Sequence, residues 1–416
     1  MSAARITPET LLDHFRPGAT IYIPGAVAEL GFLRDLLSAQ PERLDGVTLV
    51  SGLIPGINGF DYAALHPGAR LRVFMMSDAL QASFAAGRVE VLPLAYTGTA
   101  AYLASLQPDL AILHLTPPRD GLCSFGVAAD FGPIVARAAR ARIGVLNAGM
   151  PRPATSPGVA LSGLDAAVEI DAPLPTFGDP APTPELEALA RVVADLVPNG
   201  AVVETGVGAA PAAVWRALSG HKGLRLRSGM VVDGVLEAWK AGAMAERGHL
   251  AGIAYGSADL HAWLDGQDRV AFADVFTTHT PDLPKENSGD PAPFIAINSA
   301  LEVDLFGQVN LEWRAGRWVS GVGGAPDFTR IARASPGGRS IVALPSTAAS
   351  GSISRIVGRL AAPTVSLPRT EVDTIATEHG FADLKALDPD RRAEALIAIA
   401  APAHRPALIE AWRNLR

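Results

Sequence analysis

Three features of the sequence carry residue types suited to an anionic or activated substrate. The first is a glycine turn, Gly206-Val207-Gly208-Ala209-Ala210-Pro211, which closes the apolar run AVVETG and opens a helical stretch. Backbone N–H groups at such a turn suit a phosphate or carboxylate. The turn lacks the third glycine of a dinucleotide fingerprint, and no acidic residue follows at the required distance. The second feature is Ser320-Gly321-Val322-Gly323-Gly324. Glycines this dense lose much backbone freedom on folding, a loss tolerated where a ligand must approach the main chain. A pair of N–H groups there would hold an oxyanion. The third is a set of carboxylates beside these turns, Glu204, Asp233, Glu237, Glu302, Asp304 and Asp327, most of them expected to be salt-bridged or solvated.

Other chemistries are disfavoured. The 9 histidines are scattered singly, with no His-x-x-x-His pair for a zinc site. No Gly-x-Ser-x-Gly elbow is present. Cys123 is the only cysteine, which excludes an internal disulfide and a cysteine-rich metal site. A net charge of -7 argues against a nucleic-acid groove. No apolar stretch approaches the roughly 20 residues that span a bilayer. The N-terminus, MSAARITPETLLDHF, reads as a helix capped by Thr7 and not as a signal peptide. A cytoplasmic protein without nucleic-acid or membrane partners is expected.

The elements that must position these residues are those of an α/β chain. Short β-rich runs, Thr20–Gly25, Val47–Leu53, Arg70–Met76, Asp109–Leu115 and Arg142–Ala148, alternate with helical segments, the pattern of parallel strands with covering helices. A proline-rich stretch, PLPTFGDPAPTP over 173–184, marks a boundary near residue 180. Two open α/β domains are expected, 1–180 and 181–416. In the second, Thr183 caps a helix, and Val203–Ala243 reads as strand, glycine turn, helix, strand, helix. Its second strand, Leu224–Gly229, is expected to stop at the glycine. Ligands bind at the carboxyl ends of such strands, so the Gly206 and Gly229 turns should lie side by side on one lip of a cleft. Further on, His249–Tyr255, Val270–Phe276 and Phe294–Leu311 read as β, the last broken at Asp304 and Gly307. Ser340–Leu344 is a further strand, and two helices flank Ala401-Pro402.

Taken together, the motifs resemble the acetyl-CoA hydrolase/transferase family, the branch of class I CoA-transferases that includes 4-hydroxybutyrate CoA-transferase. The resemblance spans nearly the whole chain. It rests on PRDGLCSFGV over 118–127, NAGMPR over 147–152, Gly206–Pro211, NSALEVDLFGQV over 298–309, Ser320–Gly324, SRIV over 354–357 and Thr377-Glu378-His379-Gly380, the last usually Thr-Glu-Tyr-Gly. It implies two α/β domains of the class I CoA-transferase type and a homodimer. It implies coenzyme A as a substrate, with no permanently bound cofactor and no metal. The partners implied are an acyl-CoA and a small carboxylate. In the family a glutamate carboxylate attacks the thioester and a glutamyl-CoA intermediate follows. The Gly323-Gly324 pair would supply the oxyanion donors, and Gly206, Gly208, Ser228, Ser320 and Gly321 would line the CoA site.

At the nucleophile the sequence departs from the family. Where the family reads approximately His-Thr-Glu-Met, with Asp-Gly following, this chain reads Arg227-Ser228-Gly229-Met230, then Asp233-Gly234. The glutamate position is Gly229, which has no side chain to form an anhydride. Three readings remain, in this order. The first is an acyl-CoA enzyme of altered chemistry, most simply a thioester hydrolase with Glu204 or Asp233 as base. The second is a CoA-transferase using another carboxylate, Glu302 or Glu204. The third is a non-catalytic acyl-CoA binder.

Overall fold

The computed structural model describes residues 3–178, 183–206, 208–281 and 292–416. Val207 and the boundary expected near residue 180 lie outside the described residues. The chain divides into two compact units. One comprises Met1–Phe177, Leu250–Thr278 and Val319–Gly323; the other comprises Gly178–His249, His279–Trp318 and Gly324–Arg416.

The first unit is built on an 8-stranded sheet. In chain order its strands are β1 (Ala4–Arg5), β2 (Thr20–Tyr22), β3 (Thr48–Val50), β4 (Arg70–Val73), β5 (Val89–Val91), β6 (Leu110–Leu115), β7 (Ala141–Asn147) and β8 (Ala166–Ile170). In space the order is β1-β8-β7-β6-β2-β3-β4-β5, every pairing parallel. A parallel sheet is covered on both faces and its inner strands are apolar throughout; β6, LAILHL, is buried at every residue. The five strands expected in this half are all present, with ends that differ by up to three residues from the expected ones. The helix cap at Thr7 is also present, its side chain accepting from Thr10 N–H.

In the second unit Thr183 caps α1 (Pro184–Ala194). β9 (Val202–Thr205) then leads through the glycine turn into α2 (Ala209–Ala217). β10 (Arg225–Val232) leads directly into α3 (Asp233–Lys240). β11 (Phe294–Ser299), α4 (Ala325–Ala334), β12 (Arg339–Ala343), β13 (Thr374–Thr377) and β14 (Gly380–Asp383) complete the core. Within this unit the strands run in the order β10-β9-β11-β12-β13-β14, parallel except for the last pair.

Three expectations are corrected. The second strand of the Val203–Ala243 stretch does not stop at Gly229, because Met230-Val231-Val232 continue as buried strand to the start of α3. The Phe294–Leu311 run is divided into Phe294–Ser299, Glu302–Asp304 and Val309–Asn310. Val270–Phe276 is strand only to Phe272, after which Val275–Thr278 is helical. The two C-terminal helices occur, as Pro389–Ala398 and Arg405–Leu415. Unexpected in the sequence is a tight hairpin in which Trp313 pairs with Trp318 and Arg314 with Arg317. Ala315 and Gly316 turn it with φ of 49° and 75°, the positive values a two-residue hairpin requires. The two indoles stack, centroids 5.9 Å apart and planes within 6°.

Candidate active site

The carboxyl ends of β9, β10 and β11 gather most of the expected residues of the second unit. Val202 and Val203 of β9 stand opposite Arg225 and Leu226 of β10, so Glu204 and Thr205 follow beside Arg227 and Ser228. The Ser228 hydroxyl donates to Thr205 O at 3.0 Å and accepts from Met230 N–H at 3.3 Å. Thr205 is fixed from the same side by Trp215 of α2, whose indole N–H donates to Thr205 Oγ1 at 2.9 Å. Ser228 is thereby a buried tie between the two strands. Gly206 follows Thr205 at the end of β9, whereas Gly229 follows Ser228 within β10 and is not the turn expected there. Gly208, with φ of 124°, forms the N-cap of α2. Asp233 opens α3 past the end of β10.

Strand alternation puts Glu204, Gly206, Arg227 and Gly229 on the other face, beneath α4. Glu204 is 2% exposed. Asn298 of β11 donates from Nδ2 to Glu204 Oε2 at 3.0 Å, and the Ile297 N–H also donates to the carboxyl. Burial nevertheless wins over these bonds and pushes the Glu204 carboxyl up to about 8, so it holds its proton at neutral pH.

Gly229 has an extended backbone. A Cβ placed on it would meet His279 Cε1 at 3.4 Å, His279 Nε2 at 3.5 Å and Phe328 Cε2 at 4.0 Å, ordinary contact distances. The neighbours of this position are therefore an imidazole edge and a phenyl ring. His279 is buried and packs on Phe328 with centroids 4.3 Å apart. Burial, with the Arg227 charge adding, holds its pKa down to about 3, so the ring is neutral. The same ring lies against Gly324, where a Cβ would fall 2.7 Å from His279 Nε2 and 3.0 Å from Phe328 Cε2.

The glycine cluster is divided between the units. Ser320, Gly321 and Gly323 belong to the first, and Gly324 belongs to the second, where it caps α4. Ser320 O accepts from Met76 N–H at 3.4 Å, and Gly323 O accepts from Tyr96 N–H at 3.1 Å. A Cβ on Gly321 would fall 2.8 Å from Met75 Cγ and 3.0 Å from Phe74 O. Close packing on Phe74–Met76 is thus a sufficient reason for that glycine.

Several residues escaped the sequence reading. His279 gave no signal beyond being one histidine among nine. Asn298 stood inside a quoted motif without a role. A second polar group sits at the ends of β12 and β13. There Glu378 accepts from Ser346 N–H at 2.8 Å and from the Ser346 hydroxyl, with His379 Nε2 3.6 Å from the same carboxylate. Among the described residues no group of three or more His, Cys, Asp or Glu could hold a metal ion. No helix among them is long and apolar enough to cross a membrane.

Comparison with known proteins agrees with this architecture. The family model of the acetyl-CoA hydrolase/transferase C-terminal domain matches residues 256–412. The chain is 29% identical to 4-hydroxybutyrate coenzyme A transferase of Clostridium kluyveri, over 98% of this chain and 97% of that one. It is 33% identical to butyryl-CoA:acetate CoA-transferase of Anaerostipes caccae, over 73% of this chain and 71% of that one. The crystal structure of RipA from Yersinia pestis superposes with a TM-score of 0.91 at 27% identity, covering 99% of this chain and 97% of RipA. With this fold, these motifs and these relatives, the chain belongs to the acetyl-CoA hydrolase/transferase family.

Proposed function

We propose that the chain hydrolyses an acyl-CoA thioester, or performs closely related acyl-CoA chemistry, without a glutamyl-CoA intermediate. The observation that supports this most is Gly229. In the family register it stands where the nucleophilic glutamate belongs, and among the described residues no backbone or packing constraint demands a glycine there. Water would attack the thioester carbon, the C–S bond would break, and CoA would leave as its thiolate to be protonated. The Gly323-Gly324 N–H groups would hold the developing oxyanion, with Gly206, Gly208, Ser320 and Gly321 along the CoA, while the buried Ser228 ties β9 to β10. Of the two candidate bases, Glu204 holds its proton near neutrality, which leaves that role to Asp233. The reading extends to a cytoplasmic homodimer with coenzyme A as substrate and no permanently bound group.

The relatives' names favour one further reading, CoA transfer to a small carboxylate through another side chain. Glu302, which accepts from Asn310 Nδ2 at 3.3 Å, is the alternative nucleophile. Acetyl-, butyryl- and 4-hydroxybutyryl-CoA, each with and without acetate or succinate, separate the two. Hydrolysis predicts CoA release that needs no acceptor acid, and no enzyme–CoA adduct by intact mass. Acceptor-dependent release or an adduct on the wild-type protein would replace it with the transferase reading. Gly229→Glu is expected to gain the adduct that the wild type lacks.

A further inference from the structure

The second unit carries a cleft of about 240 Å³, lined by Phe306, Arg369, Thr370, Leu387, Pro389 and Arg392. Arg369 and Thr370 lead into the amino end of β13, and Leu387 and Pro389 follow the antiparallel β14. The cleft therefore flanks the amino-terminal edge of the sheet, whereas Glu204 and Asn298 stand toward the carboxyl ends of β9 and β11. Arg392 is held by main-chain oxygens alone. Its Nε donates to Leu387 O at 3.2 Å, and its Nη1 to Arg369 O at 3.0 Å and Phe306 O at 3.5 Å. Gly307, with φ of 83°, makes room for it, since a Cβ there would fall 3.2 Å from Arg392 Nη1. Of the N–H groups of this guanidinium, those on Nη2 have no acceptor among the described residues, and the Arg369 guanidinium donates to none of them either. The acids near the pair in sequence are held by other groups. Glu371 pairs with Arg330 at 3.5 Å, Asp373 with Arg333 and with Lys385 at 3.6 Å, and Asp388 with Arg391 at 3.6 Å. Asp390 accepts from Trp412 at 3.0 Å and from Arg416 at 2.8 Å, and Asp304 accepts from Phe306 N–H and from Gln308. Neither lining arginine thus has a carboxylate partner among the described residues. Burial first, then the charges of Arg369 and Arg333, holds Arg392 below the ordinary arginine value. Like charges on one small cleft repel, and an anion between them relieves the repulsion. The amino end of the helix Pro389–Ala398 adds its positive dipole at Pro389. The Phe306 ring, set edge-on to Trp412 with centroids 5.1 Å apart, gives the cleft an apolar wall.

We propose that this cleft binds a small molecule bearing a phosphate group, at a second ligand site distinct from the one proposed for the acyl-CoA. A phosphate monoester carries close to two negative charges at neutral pH. Two guanidiniums without counter-ions match that charge, and the fork of arginine suits the phosphate oxygens. The volume takes the phosphate with a small apolar substituent laid against Phe306. The site is the same whether CoA passes to water or to an acid.

Calorimetry on the full chain tests this with phenyl phosphate, inorganic phosphate and succinate at one pH and ionic strength. Phenyl phosphate is expected to bind once per chain with a Kd below about 1 mM. Inorganic phosphate should bind more weakly for want of the ring contact, and succinate more weakly than phenyl phosphate, its two charges being split between separate carboxylates. Arg369→Ala removes a side chain that makes no hydrogen bond among the described residues. Its urea midpoint should therefore match wild type, while its affinity for phenyl phosphate falls by about tenfold or more. Arg369→Lys should keep part of the affinity, and Arg369→Glu should abolish it. No binding of phenyl phosphate at about 10 mM overturns the proposal. Succinate bound more tightly than phenyl phosphate overturns it too, since the site would then be one for dicarboxylates. An affinity that Arg369→Glu leaves unchanged also overturns it, because the anion then sits elsewhere on the chain.

Discussion

Gly324 and Gly229 touch the same imidazole and are glycines for different reasons. At Gly324 a side chain would enter the space of two buried rings, His279 and Phe328. Packing there leaves no choice. At Gly229 the backbone is ordinary strand and the nearest atoms stand at van der Waals distance. Among the described residues nothing requires a glycine at that place. A glycine enforced by packing says little about function, since any ligand-free account explains it. A glycine that neither its backbone nor its described neighbours need asks for another account, and the proposed function takes Gly229 as the vacated nucleophile position.

The difference can be broken most directly by substitution to alanine. Gly324→Ala must displace His279 or Phe328, and overpacking of this kind costs about 1–3 kcal/mol. The expected outcome is a lower urea midpoint with unchanged slope. A neutral Gly324→Ala would show that His279 yields freely and would erase the contrast.

Two pH effects on stability come next, and they run in opposite directions. His279 is held near 3 in the folded protein, below its unfolded value of 6.5. The unfolded chain therefore takes up the proton first as pH falls, and folding stability is lost from about 6.5 downward. Glu204 is raised from 4.5 to about 8. Its contribution is fully present below 4.5 and is lost as pH rises toward 8, because the unfolded chain sheds the proton first. Thermal unfolding of Glu204→Gln should accordingly exceed wild type at pH 8 and converge with it near pH 4. His279→Phe should resist acid better than wild type between pH 6 and 4. Parallel curves for variant and wild type in either window would refute the corresponding burial argument.

The smallest effect is the most telling for the comparison. Gly229→Ala keeps an extended backbone and removes unfolded-chain freedom, so it should stabilise the fold by about 0.5–1 kcal/mol. A destabilised Gly229→Ala would mean that His279 presses on the strand, and the glycine would then be structural like Gly324.

Much of the fold was legible because parallel strands announce themselves as apolar runs ending in turn residues. Thr20–Tyr22, Thr48–Val50 and Leu110–Leu115 each follow that rule. Short strands such as Val89–Val91 and Ala166–Ile170 escaped, because three to five residues carry too little pattern without knowledge of their partners. The misplaced end of β10 has a specific cause. Gly229 looked like a stop signal, yet Met230, Val231 and Val232 are apolar and pair onward, and tertiary pairing overrode the glycine. At the site, Gly229 and Glu204 could be named from local motifs. His279 could not, since it meets Gly229 across a sequence gap of fifty residues and only the sheet brings them together. Nor could the proton on Glu204, which depends on burial that no local window reveals.

The stacked tryptophan hairpin gives the molecule a built-in optical sensor. Trp313 and Trp318 are near-parallel chromophores, and the chain passes from Trp318 directly into Val319–Gly323, the glycine-bearing segment of the first unit. Parallel indoles at this separation couple their transitions and give a paired near-ultraviolet dichroism signal that isolated tryptophans lack. Any event that tugs on the 319–323 segment must act on that signal through a single covalent bond. The proposed function expects coenzyme A, when titrated, to change that signal with no label attached.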